Sequence, residues 1–100
     1  MKSSGEKFKI EYDPDVYKED VPSVSSDWVT KIRNAIENKL QNYPTIFGKP
    51  LNFPLTGLWK LRVGDYRIVY TVSKMSVGIF IVGHRDEVYK LALRRLRARA

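Results

Sequence analysis

The sequence predicts a small α+β domain in which a four-stranded, mostly antiparallel sheet carries its helices on one face. Three observations predict it. An alternating apolar/polar run near the N-terminus and three short β-rich runs in the second half bracket one long amphipathic helical pattern. Clusters of Gly, Pro, Ser and Asp separate these runs. The chain has 100 residues with 43% hydrophobic side chains, enough for one core and too few for two. The order reads β-α-α-β-β-β-α in a single domain over residues 1–100, with 1–6 and 97–100 expected to be loose.

Taken in order, Phe8, Ile10 and Tyr12 alternate with Lys7, Lys9 and Glu11, the signature of a strand with one buried face, and Asp13-Pro14 stops it. Pro14 to Asp20 suits a short helix capped by Asp13, which Pro22 and the Ser23–Ser26 cluster end. Ser26 can cap a longer helix in which Trp28, Ile32, Ile36, Leu40 and Tyr43 form one stripe, closed by Pro44. Thr45 to Thr56, with Gly48, Pro50 and Pro54, reads as an irregular loop pinned by Ile46, Phe47, Leu51 and Phe53. The runs 58–63, 66–73 and 77–82 then form an antiparallel meander. The last is apolar at every non-glycine position and so belongs in the sheet centre. Asp86 and Glu87 favour a helix start, and Val88 to Leu96 continues as a helix into a basic tail.

Composition narrows the chemistry. There is no cysteine and one histidine, so disulfides, thiolate nucleophiles, and sulfur- or histidine-built metal centres are not expected, and neither is a cofactor. No apolar run approaches the roughly 18 residues needed to cross a bilayer, and Met1 to Lys7 lacks the hydrophobic stretch of a secretion signal, so a cytoplasmic protein without membrane contact is expected. The net charge is +7 and unevenly spread. Residues 1–59 hold 8 Lys/Arg and 8 Asp/Glu, whereas 60–100 hold 10 and 3. Such a surface attracts polyanions, nucleic acid foremost.

If Gly64-Asp65 forms a two-residue turn, Val63 pairs with Tyr66 and Arg62 lies opposite Arg67. Alternation then puts Lys60, Arg62, Arg67, Val69 and Thr71 on one face, and Trp59, Leu61, Val63, Ile68, Tyr70 and Val72 on the core face. Opposed guanidiniums cost stability, which suggests an anion to neutralise them, although Asp65, Glu87 or solvent would serve as well. With His84, Arg85 and Tyr89 at the end of the central strand, the cluster offers phosphate-binding forks, an imidazole and a ring for stacking a base.

The block Leu55-Thr56-Gly57-Leu58-Trp59-Lys60-Leu61-Arg62-Val63-Gly64-Asp65-Tyr66-Arg67-Ile68-Val69-Tyr70, followed by Val82-Gly83-His84-Arg85-Asp86-Glu87-Val88-Tyr89, resembles the RelE/ParE superfamily of bacterial toxins. The resemblance implies a RelE-like fold and a toxin that enters the A site of the 70S ribosome and cleaves mRNA, silenced by a cognate antitoxin protein. It assigns catalysis to Lys60, Arg67, Arg85 and Tyr89, with Arg62 and His84 as added phosphate-binding groups. Leu58 stands where the family's RNA cleavers carry a second lysine. Lys60, crowded by two guanidiniums, is the candidate proton acceptor, and Arg67 and Arg85 would stabilise charge on phosphorus as the RNA 2′-hydroxyl attacks. Either His84 or Arg85 would serve the leaving oxygen. Lys90, Arg94 and Arg95 on the last helix would contact RNA phosphates and an acidic antitoxin segment. A ParE-like inhibitor of gyrase without nuclease activity, and a non-catalytic basic nucleic-acid-binding domain, are the alternatives.

Overall fold

The computed structural model describes residues 7–100. The chain runs through β1 (Lys9–Tyr12), a π-helical turn (Val16–Asp20), a 3₁₀ turn (Val21–Ser23), α1 (Ser26–Ala35) with a π-helical continuation (Ile36–Leu40), and α2 (Pro44–Phe47). β2 (Lys49–Pro50), β3 (Trp59–Val63), β4 (Tyr66–Val72), β5 (Ser76–His84) and α3 (Val88–Arg99) follow. The α+β class is as read from the sequence and the expected elements keep their order, but α2 and β2 are additional, formed within the segment expected to be an irregular loop after Pro44. Asp13 caps as expected, its carboxylate accepting the Asp15 N–H at 3.0 Å. Residues 1–6, expected to be loose, lie outside the described residues.

Three expectations need correction. The sheet has five strands in the order β1-β5-β4-β3-β2, because two residues of the presumed loop, Lys49 and Pro50, pair with Lys60 and Trp59 as an edge strand. β1 lies parallel to β5 and the other pairings are antiparallel. The helices also divide between the two faces. Ile32, Ile36 and Leu40 pack with Leu61, Ile68, Tyr70, Val77 and Ile79 on one face, whereas Val88 and Ala92 of α3 pack with Leu55, Leu58, Val69 and Ile81. β5, apolar from Val77 to Val82 apart from Gly78, accommodates both because its register against β4 shifts at Phe80, after which Ile81 faces the α3 side. Finally, residues 97–99 are not loose. They complete α3, and the Arg99 guanidinium donates to the carboxylates of Asp13 and Asp15.

The seam between the two ends of the chain is polar. β1 ends at Tyr12, opposite Ile79, so β5 has no strand on that side beyond this point. Asp20, only 6% exposed, takes the vacated place: its carboxylate accepts the Val82 N–H at 3.0 Å and a two-point contact from Arg95 at 2.9 and 3.0 Å. Arg95 donates in addition to the Phe80 carbonyl at 2.9 Å. Buried backbone groups require partners, and this pair supplies them.

Two outcomes follow from that seam. Asp20→Ala strands the Arg95 guanidinium and the Val82 N–H, so urea unfolding should show a loss of about 3–5 kcal/mol, with Asp20→Leu/Arg95→Met recovering much of it. Hydrogen bonds from Arg99 hold the Asp13 carboxyl below its ordinary pKa of 3.8. The stabilisation from this contact is therefore complete above that value and is lost as the pH falls through the lowered one. Wild type and Arg99→Ala should accordingly differ in urea midpoint at pH 6, and the gap should narrow as the pH falls below 3.8; a gap that does not narrow would remove the assignment.

Candidate active site

The β3–β4 hairpin turns at Gly64-Asp65, and its register sets Arg62 against Arg67, Val63 against Tyr66 and Leu61 against Ile68, as the two-residue turn requires. Gly64 has φ +60°, and a Cβ there would lie 2.3 Å from the Trp28 ring, so the turn needs glycine both for its backbone and for its seat against α1. β2 then adds Lys49 directly opposite Lys60. Two successive pairs of like charge thus lie side by side on one face of the sheet, an arrangement that disfavours folding by itself.

These four cations line a single cleft of about 320 Å³, together with Phe47. Among the described residues none of the four has an ion-pair partner within 4.0 Å. Arg67 is half-buried and fixed by donating to the carbonyls of Gly64 at 3.0 Å and Tyr66 at 2.9 Å. The Lys60 Nζ stands 5.7 Å from the centre of the Tyr89 ring, which brings the start of α3 to the cleft. Concentrated positive charge without internal neutralisation is a phosphate-attracting surface.

The remaining candidates divide. The Arg85 N–H bonds the Asp65 carbonyl at 2.8 Å and extends the ladder past Arg67, which pairs with Gly83. Its guanidinium stays exposed in long contacts with Asp65 at 3.9 Å and Asp86 at 3.8 Å, outside the cleft lining. His84 does not join the cleft. It pairs with Tyr66 across the strands, stands edge-on to that ring at 5.9 Å, and lines a separate hollow with Glu19, Glu87 and Leu91. Lys90 and Arg94 are exposed on α3. Arg95, expected to bind RNA, is instead the inward partner of Asp20, which holds its guanidinium charged and out of reach of a ligand.

Leu58, 6% exposed, belongs to the core against α3 and brings no charge. The second ammonium comes from Lys49, a position that sequence reasoning assigned to a loop. Pro50 beside it hid the two-residue strand, and the only available signal was the apolar content that pins the segment down. Buried Tyr70 holds the segment: its hydroxyl donates to the Pro44 carbonyl at 2.6 Å, and burial raises its pKa above the ordinary value.

Comparison with known proteins agrees with this architecture. The family model for the ParE toxin of type II toxin–antitoxin systems, parDE, matches residues 10–89. No curated protein matches the sequence. Among solved structures, the RelBE2 toxin–antitoxin complex of Mycobacterium tuberculosis is similar at TM-score 0.75 and 22% identity, covering 84% of this chain and 98% of that one. The RelB-RelE antitoxin–toxin complex of Methanococcus jannaschii follows at TM-score 0.63 and 20% identity, with coverages of 81% and 96%. YafQ from E. coli is similar at TM-score 0.55 and 18% identity, with coverages of 79% and 94%. With the family model spanning most of the sheet, the cationic hairpin and the first residues of α3, the chain belongs to the ParE toxin family of type II toxin–antitoxin systems, within the RelE/ParE superfamily.

Proposed function

We propose that this toxin is a metal-independent endoribonuclease that cuts mRNA in the ribosomal A site. The observation that carries the proposal is the convergence of Lys49, Lys60, Arg62 and Arg67 on one cleft with no internal counter-ion among the described residues. An inhibitor acting by protein contact alone has no need of such a phosphate-sized concentration of charge. In the reaction, the substrate 2′-hydroxyl attacks the adjacent phosphorus and passes its proton to the Lys60 amine, which acts in its unprotonated form and becomes the ammonium. The bond to the 5′-oxygen breaks, leaving a cyclic phosphate, and that oxygen takes a proton from a neighbouring cation. Lys49, paired with Lys60, supplies the second ammonium in place of His84.

Arg62 and Arg67 stabilise the extra negative charge on the phosphoryl oxygens, and Tyr89 orients the nucleotide beside Lys60. Arg85 joins them by leaving Asp65 and Asp86, an inexpensive exchange because exposed ion pairs contribute only about 0–1 kcal/mol. The small protein leaves sequence positioning to the ribosome, where Lys90 and Arg94 meet ribosomal RNA phosphates. A cognate antitoxin is the second partner, supported by the two similar structures that are toxin–antitoxin complexes.

The rival reading, a gyrase inhibitor, is favoured by the ParE identity of the matched family model. Toeprinting on translating ribosomes beside a gyrase supercoiling assay separates the two. Nuclease activity predicts new message ends in the A site and unimpaired supercoiling. Lys60→Ala and Arg67→Ala should each lower cleavage about a hundredfold or more. A message with a 2′-deoxy nucleotide at the scission site should stay intact, and its cleavage would rule out the cyclising chemistry.

A further inference from the structure

Phe47 has no part in the chemistry above and yet lines the cationic cleft together with Arg62 and Arg67 of the hairpin. It is 47% exposed and sits in one segment with the exposed Tyr43 and Ile46, so the cleft has an apolar side. Its environment fits a planar ligand. Tyr43 lies 6.1 Å away at a tilt of 59°, and the Lys39 Nζ stands 5.6 Å from the ring centre, so the ring is flanked by an aromatic and a cation and still open to the cleft. Lys49, two residues on, reaches the same cleft.

The segment is fixed in place. Pro44 starts α2, its carbonyl is held by the Tyr70 hydroxyl, and Gly48 is seated so closely on Tyr70 that a Cβ would lie 1.6 Å from the hydroxyl oxygen. Beyond it, β2 pairs with β3, and the Leu51 N–H bonds the Leu58 carbonyl at 2.8 Å. A single aromatic ring held rigidly beside a row of cations is how proteins grip single-stranded nucleic acid: the cations take the backbone and the ring takes a base face.

We propose that Phe47 is a base-stacking platform, binding the nucleobase next to the phosphate held by Lys49, Lys60, Arg62 and Arg67. The inference rests on the RNA reading of the cleft and names its second subsite, for an unpaired, stackable base rather than for a phosphate alone. Phe47 is a positioning residue here and touches no reacting atom.

The test is fluorescence anisotropy at low salt with the full chain, using a labelled single-stranded RNA oligonucleotide and an abasic ribose-phosphate strand of equal length. Phe47→Ala should weaken binding of the RNA about tenfold while leaving the abasic strand unchanged, and Phe47→Tyr should restore RNA binding. Lys60→Ala should weaken both strands alike. Phe47→Ala that binds RNA as wild type does, with Lys60→Ala still weakened on both strands, overturns the stacking subsite and leaves the phosphate cleft standing. Lys60→Ala that binds both strands normally overturns the cleft reading itself, and a wild type that binds neither strand overturns both. Circular dichroism of each variant guards against misfolding, which a half-exposed ring is not expected to cause.

Discussion

The hairpin register at Gly64-Asp65 is the constraint on which the rest of the molecule depends. Side chains alternate along a strand, so a slip of one residue would exchange every inward and outward group on β3 and β4. In the observed register Leu61, Ile68 and Tyr70 enter the core under α1, and Lys60, Arg62 and Arg67 come out together on the other side. The hydrophobic pattern of one face therefore determines the cationic pattern of the other. Burial of Ile68 and Tyr70, both fully enclosed, offsets the repulsion between guanidiniums that would otherwise drive the strands to another pairing.

Positive charge in the second half of the chain serves two purposes. Arg95 and Arg99 point back to the acidic residues of the first turns and tie α3 to β5 and to Asp13, Asp15 and Asp20. Lys60, Arg62 and Arg67 have no such partners among the described residues and remain available to an anion. A count of charges along the sequence merges the two groups. Only the tertiary structure separates a cation that closes the fold from one that waits for a ligand.

Much of the fold was legible because local rules and global packing agree in it. The alternation in β1, the stripe on α1, the two-residue turn and the apolar β5 each follow from periodicity. Where reading failed, a long-range contact decided the outcome. Arg95 looked like any exposed arginine on a basic helix until Asp20, 75 residues away, came beside it. Lys49 looked like loop because its strand is two residues long and contains proline. His84 looked adjacent to Arg85 in function as in sequence, but neighbours in a strand point to opposite faces, and the pairing with Tyr66 carries it away from the cleft.

The parallel pairing of β1 with β5 has a consequence for biosynthesis. A parallel neighbour must come from far along the chain, and here Lys9 meets Ser76 while Asp13 meets Arg99. A growing polypeptide can form the local hairpin early, but it cannot seat its own first strand until β5 has been made, or bury Asp20 against Arg95 until the final helix has been made. The toxin thus closes its core only once α3 has been made, and a nascent molecule lacks that closure until then.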